Sequence, residues 1–265
     1  MKSAYLVGPF VGELTWEFYR FAPYIITLKK KRPKIKLVVF TRPSRFDLYG
    51  QYADILVPLK IPKSKQKGFS IERLTDVTYT KLADKFYNKY YKKFRIINHI
   101  YPDISYFYYK LKWQYPRELM DYDFRPRKQN IIFAKKYIKN NKMVFINFNF
   151  SEKHQLVENI EKINHFPIFV NMLFEDFSSS DKKDKSLLGC TIEILKRCEF
   201  VITRFNTYIA RLAMLLKIPI LCIDDFPTED QLKLFNPFNT KVVCCDDIDI
   251  GIEFLRKEKT NANNI

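Results

Sequence analysis

Runs of apolar residues alternate with helical patterns through the second half of the chain, and this alternation restricts the possible folds more than any other feature. Five strand-like runs are separated by segments in which apolar residues recur with helical spacing. These runs are Met143–Phe150, Pro167–Leu173, Phe200–Thr203, Ile218–Ile223 and Lys241–Cys245. Strands that alternate with helices are typical of a parallel sheet covered on both faces. The sequence therefore predicts a Rossmann-like unit over residues 142–265.

The start of the chain predicts a second unit of this kind, because the apolar run Ala4–Val7 is followed by a glycine-containing loop and an amphipathic helix. A further apolar run, Ile35–Phe40, completes a βαβ arrangement, and a third strand is expected near Ile55–Leu59. In such units the ligand binds at the carboxyl ends of the strands, beside the helix N-terminus. We therefore expect Gly8 and Gly12, which flank the loop, to contact a ligand.

Two acidic residues lie in the first turns of this predicted helix. Glu13 is in the first turn, and Glu17 follows one turn later. A carboxylate beside a ligand-binding loop can act as a general base, which makes Glu13 the first candidate and Glu17 the second. Glutamate is also common in the first turn of ordinary helices, where it interacts favourably with the helix dipole, and this alternative stays open.

The net charge of +17 favours a polyanionic partner such as nucleic acid, an anionic membrane face or a phosphorylated substrate. Most of the excess lies in residues 60–141, where Lys and Arg are about three times as frequent as Asp and Glu. A basic composition can also reflect an AT-rich genome, which favours Lys, Asn, Ile, Tyr and Phe in the same way. That alternative stays open as well.

Residues 60–141 are also rich in aromatic side chains, and we expect a basic aromatic helical insert within an N-terminal domain of residues 1–141. Cations in such a segment can bind phosphates while its rings stack on bases. The predicted nucleic-acid contacts are Lys89, Tyr90, Tyr91, Lys92, Lys93 and Arg95. The opposing interpretation is that the rings form a core and the lysines cover its solvated face.

Several features argue against other classes of protein. The longest apolar run, Leu212–Ile223, is too short to span a membrane and is interrupted by a lysine and a proline. The five cysteines have neither metal-ligand nor disulfide spacing, and the chain does not open with a signal-peptide pattern, so we expect reduced thiols and a cytoplasmic location. His99, His154 and His165 share no ligand spacing, and no metal is predicted.

Two stretches resemble heptosyltransferase-like enzymes of the GT-B architecture, in which two Rossmann-like units face each other across a cleft. Val11–Leu14 resembles the opening loop of these enzymes, where a Gly-Asp pair follows the first strand, with Glu13 in place of the aspartate. Cys198–Asp224 resembles their donor-side unit, which has a strand, a short polar turn, a helix and a strand that opens with proline. The resemblance implies an α/β, GT-B-like fold with the basic aromatic segment as an insert.

The second stretch is also similar to polysaccharide pyruvyltransferases, which carry Ser-Arg-x-His at the polar turn. Here the turn reads Thr203, Arg204, Phe205 and Asn206, so the arginine matches and the histidine is absent. The predicted donor-binding residues, taken from the resemblances and the loop positions, are Gly8, Gly12, Thr203, Arg204, Asn206 and Thr207. The heptosyltransferase resemblance implies that Glu13 is the base.

The activity implied is a metal-independent, inverting transfer of a sugar from a nucleotide-sugar, which is a co-substrate and not a cofactor. The positive charge favours a polyanionic acceptor, and we predict a hydroxymethylated base in phage DNA. One rival hypothesis is a transferase that modifies a polysaccharide or lipid-linked glycan, including by pyruvyl transfer. Another is a non-catalytic nucleic-acid-binding protein. The oligomeric state stays open.

Overall fold

The computed structural model describes residues 1–10, 14, 17–59, 76–100, 120–138, 143–147, 160, 166–169, 187–223, 226–246 and 251–253. The chain divides into two units. One contains Met1–Ile132 and Leu173–Cys190, and the other contains Phe133–Met172 and Thr191–Ile265. Each unit has its own parallel sheet, and the two are described separately.

The sheet of the first unit has four strands, which are β1 (Ser3–Val7), β2 (Lys36–Thr41), β3 (Ile55–Pro58) and β4 (Arg95–Ile100). Their order in the sheet is β3-β2-β1-β4, and all neighbours are parallel. The first three strands lie within one or two residues of the predicted apolar runs. Their alternating side chains bury one face against a helix, as a half of a doubly wound sheet requires.

The helices of this unit follow the strands in sequence. A π-helical turn at Glu17–Phe21 leads into α1 (Ala22–Lys31), whose last turn contains three lysines, as expected for a helix C-terminus. A 3-10 turn at Pro43–Arg45 precedes the short helix α2 (Phe46–Tyr49). The longer helix α3 (Asp76–Tyr91) lies between β3 and β4 in sequence. It contributes Phe86, Tyr87 and Tyr90 to the hydrophobic core.

The segment interpreted from sequence as a helical insert also supplies a strand. Helix α3 is helical as expected, but β4 follows it and pairs with β1 at the edge of the sheet. Ile100 is buried and Ile96 packs against the core, whereas Arg95 and Ile97 are exposed. The prediction of a purely helical insert is therefore wrong for these six residues. Residues 60–75, 101–119 and 139–141 of the insert lie outside the described residues.

The sheet of the second unit has five strands, which are β5 (Met143–Asn147), β6 (Phe166–Phe169), β7 (Cys198–Thr203), β8 (Ile220–Ile223) and β9 (Val242–Cys245). All pairs are parallel, and the order is β6-β5-β7-β8-β9. Val144, Ile202 and Leu221 are among the residues that form its core. The predicted parallel sheet of alternating strands and helices is confirmed.

The remaining helices are α4 (Lys128–Ala134), α5 (Leu187–Leu195), α6 (Tyr208–Leu215) and α7 (Glu229–Phe235). Among the residues that the structure describes, no helix is both long enough and apolar enough to cross a membrane. The five cysteines are free thiols, and burial raises the pKa of Cys198 to about 12.

Candidate functional site

Each sheet contains a point where the strand order reverses. In the first unit the chain runs outward from β1 through β2 to β3, and β4 is then added on the other side of β1. In the second unit the chain runs from β5 to β6, and β7, β8 and β9 are then added on the other side of β5. Ligands of open parallel sheets bind at the carboxyl ends of the strands at such a reversal. The chain therefore has two candidate positions, one in each unit.

At the reversal of the second sheet, polar side chains end two neighbouring strands. Asn147 is the last residue of β5 and is paired with Thr203, the last residue of β7. The Asn147 amide donates a hydrogen bond of 3.3 Å to the Thr203 hydroxyl, whose oxygen lies 3.0 Å from that of Thr207. Thr207 caps α6 and accepts a hydrogen bond from the Ala210 N–H. An amide, two hydroxyls and a helix N-terminus are thus brought together.

The turn between Thr203 and Thr207 buries one side chain and exposes its neighbours. Phe205 is fully buried and anchors the turn, whereas Arg204 and Asn206 on either side of it are exposed. The structure therefore brings the four residues of the predicted donor-binding turn together at one strand end. Whether they bind a donor stays a prediction.

Asn147 was missed in the sequence analysis. It lies inside the predicted run Met143–Phe150, and the strand ends there. A polar residue that ends a strand is a weak signal by itself, because its importance depends on which strand lies beside it. Only the pairing of β5 with β7 shows that Asn147 adjoins Thr203.

At the reversal of the first sheet, Gly8 follows β1. Its φ of +91° suits glycine, and a Cβ at this position would collide with the Phe40 carbonyl oxygen. Its N–H donates to the Ile100 carbonyl and its own carbonyl accepts from the Tyr87 hydroxyl, both at 2.8 Å. Gly8 is thus required for the close approach of three backbone segments. Gly12 and Glu13 lie outside the described residues, and their predicted roles stay predictions.

Glu17 is completely buried at the start of the π-helical turn, where it pairs with the equally buried Arg45. The two side chains are 2.8 Å apart, from Arg45 Nη1 to Glu17 Oε2. Glu17 Oε1 accepts hydrogen bonds from the Thr41 hydroxyl at 2.9 Å and the Tyr49 hydroxyl at 2.7 Å. Both carboxylate oxygens therefore already have donors.

This network connects the π-helical turn before α1 with the end of β2 and with α2. Burial, followed by the charge of the neighbouring Glu17, raises the pKa of Tyr49 well above its ordinary value, so the hydroxyl remains a donor. The Glu17 carboxylate has three hydrogen-bond donors and no exposed surface. It is therefore better suited to fixing the π-helical turn against β2 and α2 than to taking a proton from a substrate. The assignment of Glu17 as the second candidate base stays a prediction.

The residues predicted to contact nucleic acid differ in their exposure to solvent. Lys89, Lys92, Lys93 and Arg95 are exposed, and none of these four forms an ion pair in the described part of the chain. The Tyr91 side chain is 50% exposed, and its hydroxyl lies 3.0 Å from His99 Nε2.

Tyr90 differs from the other residues of this set because its side chain is only 5% exposed. Its ring packs against Phe86, with centroids 5.2 Å apart, and against Phe94, at 6.4 Å. The ring belongs to the core of the first unit, as the opposing interpretation of the aromatic segment expects. Tyr90 is therefore not placed to stack on a base.

No Asp-x-Asp motif of the kind used by metal-dependent transferases of another fold was predicted, but Asp121 and Asp123 have this spacing. Here Lys30 forms an ion pair with each of them, and Asp123 is also bound by Arg125 and Tyr52. Burial opposes ionisation of Asp123, but these hydrogen bonds prevail and lower its pKa to about 2. Within the described ranges, no three His, Cys, Asp or Glu residues are grouped closely enough to hold a metal ion.

The fold that contains these two parallel sheets is similar to that of solved two-unit α/β structures. The glycosyl transferase family 9 protein of Veillonella parvula matches 97% of this chain over 91% of its own, with a TM-score of 0.53 and 11% identity. The E. coli heptosyltransferase WaaC with ADP matches 97% of this chain over 99% of its own, with a TM-score of 0.53 and 12% identity.

The same E. coli enzyme with ADP-2-deoxy-2-fluoro heptose gives a TM-score of 0.50 at 13% identity. At these identities the likeness establishes the fold, and the predicted GT-B-like α/β class is confirmed. No protein-family model matches the sequence, and no curated protein is significantly similar to it.

Proposed function

We propose that this protein is a glycosyltransferase that moves a sugar from a nucleotide-sugar to a hydroxyl group. The observation that carries the proposal is the cluster of Asn147, Thr203 and Thr207 at the strand reversal of the second sheet. Hydroxyls and the N–H groups at the start of α6 suit the oxygens of a diphosphate, and Arg204 adds a positive charge beside them. The shared fold with WaaC, which was solved with ADP, supports the same function.

In the proposed reaction the acceptor oxygen forms a bond to the anomeric carbon while the bond from that carbon to the diphosphate breaks. The electron pair leaves with the nucleoside diphosphate, and the acceptor proton moves to a base, for which we propose Glu13. Positive charge and hydrogen-bond donors beside the departing diphosphate stabilise its developing charge. We further propose that the transfer is metal-independent and inverts the anomeric centre in a single displacement.

Arg204→Gln is expected to weaken ADP binding by about tenfold, because a charge-assisted hydrogen bond to a phosphate is lost. Arg197→Gln is the matched control, since Arg197 is an exposed arginine that precedes β7 whereas Arg204 follows it. Isothermal titration calorimetry with ADP, GDP, UDP and CDP measures the affinities. If the wild type binds none of these diphosphates, or if the two substitutions weaken binding equally, the proposal is contradicted.

For the acceptor we propose DNA, as the finer form of this function. The supporting observation is the exposed set of Lys89, Lys92, Lys93 and Arg95 on the first unit. Cations in this arrangement can bind the phosphate backbone without reading the sequence. The burial of Tyr90 leaves Tyr91 as the ring of this set that can reach a base.

Charge reversal of Lys89, Lys92 and Lys93 to glutamate is expected to weaken binding to duplex DNA and to make the slope of log K against log salt shallower by about 3 units. The matched control reverses Lys2, Lys31 and Lys34, which are also exposed, belong to the same unit and change the net charge equally. Filter binding across a salt series measures both. If the wild type fails to bind duplex DNA at low salt, DNA is removed as the acceptor and a glycan acceptor is favoured.

A further inference from the structure

Phe226 is an exposed aromatic side chain at the carboxyl edge of the second sheet. It lies three residues after Ile223, which ends β8, and 59% of its surface is exposed. Strand β8 is the neighbour of β7, and Cys222 is paired with Thr203. Three residues of chain span at most about 11 Å, so the Phe226 backbone lies within this distance of the end of β8, the strand next to the one that ends in Thr203.

The residues after Phe226 restrict how far its backbone can vary. Pro227 follows it directly and favours an extended backbone at Phe226. Thr228 then starts α7 with a capping box, in which its hydroxyl accepts from the Gln231 N–H and the Gln231 side chain accepts from the Thr228 N–H. The ring is thus carried by a short stretch that is held at its far end by a capped helix.

Among the described residues of this unit, Phe238 is the other exposed phenylalanine, and its surroundings differ from those of Phe226. Phe238 is 36% exposed and lies beneath the Lys217 ammonium group, 4.7 Å from the ring centroid. Phe226 has no ring or cation contact anywhere in the described part of the chain. Single exposed apolar residues are common on protein surfaces, so the position of the ring beside the ligand edge is the informative feature.

We propose that Phe226 is the stacking platform for the nucleobase of the donor, and this inference rests on the proposed function. The exposed turn with Arg204 and the hydroxyls of Thr203 and Thr207 suits the diphosphate, but nothing in that cluster offers a flat apolar surface. A phenylalanine ring three residues beyond the end of the neighbouring strand β8 supplies one. Stacking on an aromatic ring tolerates different bases but is stronger for larger ring systems, so the site should prefer purine over pyrimidine diphosphates.

Phe226→Ala in the full chain is expected to weaken ADP binding by about tenfold, with pyrophosphate binding unchanged, because pyrophosphate has no base to stack. Phe226→Trp should retain the affinity for ADP. Phe238→Ala is the matched control and should bind ADP as the wild type does. Calorimetry measures ADP and UDP directly, and pyrophosphate is measured by competition with ADP.

The outcomes separate this inference from the function on which it rests. If the wild type binds ADP and Phe226→Ala binds it equally well, the stacking role is overturned while the proposed function stands. Equal weakening of ADP and pyrophosphate by Phe226→Ala would also overturn it, since the damage would then not concern the base. If the wild type binds no nucleoside diphosphate, the proposed function itself fails. Support requires loss of ADP affinity in the alanine variant, recovery with tryptophan and a smaller difference between ADP and UDP in the alanine variant.

Discussion

Glu17→Ala is expected to lower the free energy of unfolding by about 3–5 kcal/mol, because it removes one partner of a completely buried ion pair. The Arg45 side chain has no exposed surface, and its Nη1 atom lies 2.8 Å from the Glu17 carboxylate. The same substitution removes the acceptor of the Thr41 and Tyr49 hydroxyls. Chemical denaturation of the purified protein, followed by circular dichroism, measures the change.

A graded series keeps this prediction testable if Glu17→Ala does not fold. Tyr49→Phe removes one hydrogen bond of the network and should cost about 1–2 kcal/mol. Glu229→Ala is the control, since its ion pair with Lys233 is exposed, with 81% of the Glu229 side chain accessible, and such pairs contribute at most about 1 kcal/mol. A loss below about 1 kcal/mol in Glu17→Ala would show that the buried network does not hold this part of the first unit together.

Glu13→Gln is expected to reduce turnover by about 100-fold or more while ADP affinity is retained. The substitution keeps the size of the side chain and removes its basicity, so it affects proton transfer and not donor binding. Release of nucleoside diphosphate from the nucleotide-sugar that binds most tightly, with hydroxymethylated DNA or a glycan as acceptor, measures turnover.

Glu193→Gln serves as the control for Glu13→Gln. Glu193 lies on α5 and forms an ion pair with Lys196, which directly follows this helix. It should leave turnover unchanged. Near-normal turnover in Glu13→Gln would mean that the base lies elsewhere. Absence of turnover in the wild type, with DNA binding intact in the wild type and in both the Glu13 and Arg204 variants, would favour a non-catalytic nucleic-acid-binding protein.

The strands and helix ends that could be predicted are those with strong local signals. The run Ile220–Ile223 is fully buried and reads as continuous apolar residues, which is typical of a strand covered on both faces. The end of α1 at Lys31 follows from basic residues and a nearby proline. The turn around Arg204 was identified differently, from its resemblance to the donor-side unit of heptosyltransferase-like enzymes and to polysaccharide pyruvyltransferases.

Three features could not be predicted because they depend on distant partners. The exposed and buried residues of β4 follow an irregular order, which matches the period of neither a helix nor a strand. The register of β4 against β1 also shifts, as at a β-bulge. Tyr90 lies among exposed lysines in the sequence, so it was expected on the surface, yet its ring packs against Phe86 and Phe94. The buried partnership of Glu17 with Arg45 joins residues that no local pattern connects.

The sequence by itself determined the α/β class of fold and the alternation of strands and helices, because these depend on the apolar period within one segment. Tertiary structure alone decided the order of the strands, and with it where each sheet reverses. Asn147 became a neighbour of Thr203 only when β5 and β7 paired across 50 or so intervening residues. Pairing between strands is governed by the burial of whole faces against distant segments, which a local pattern does not encode.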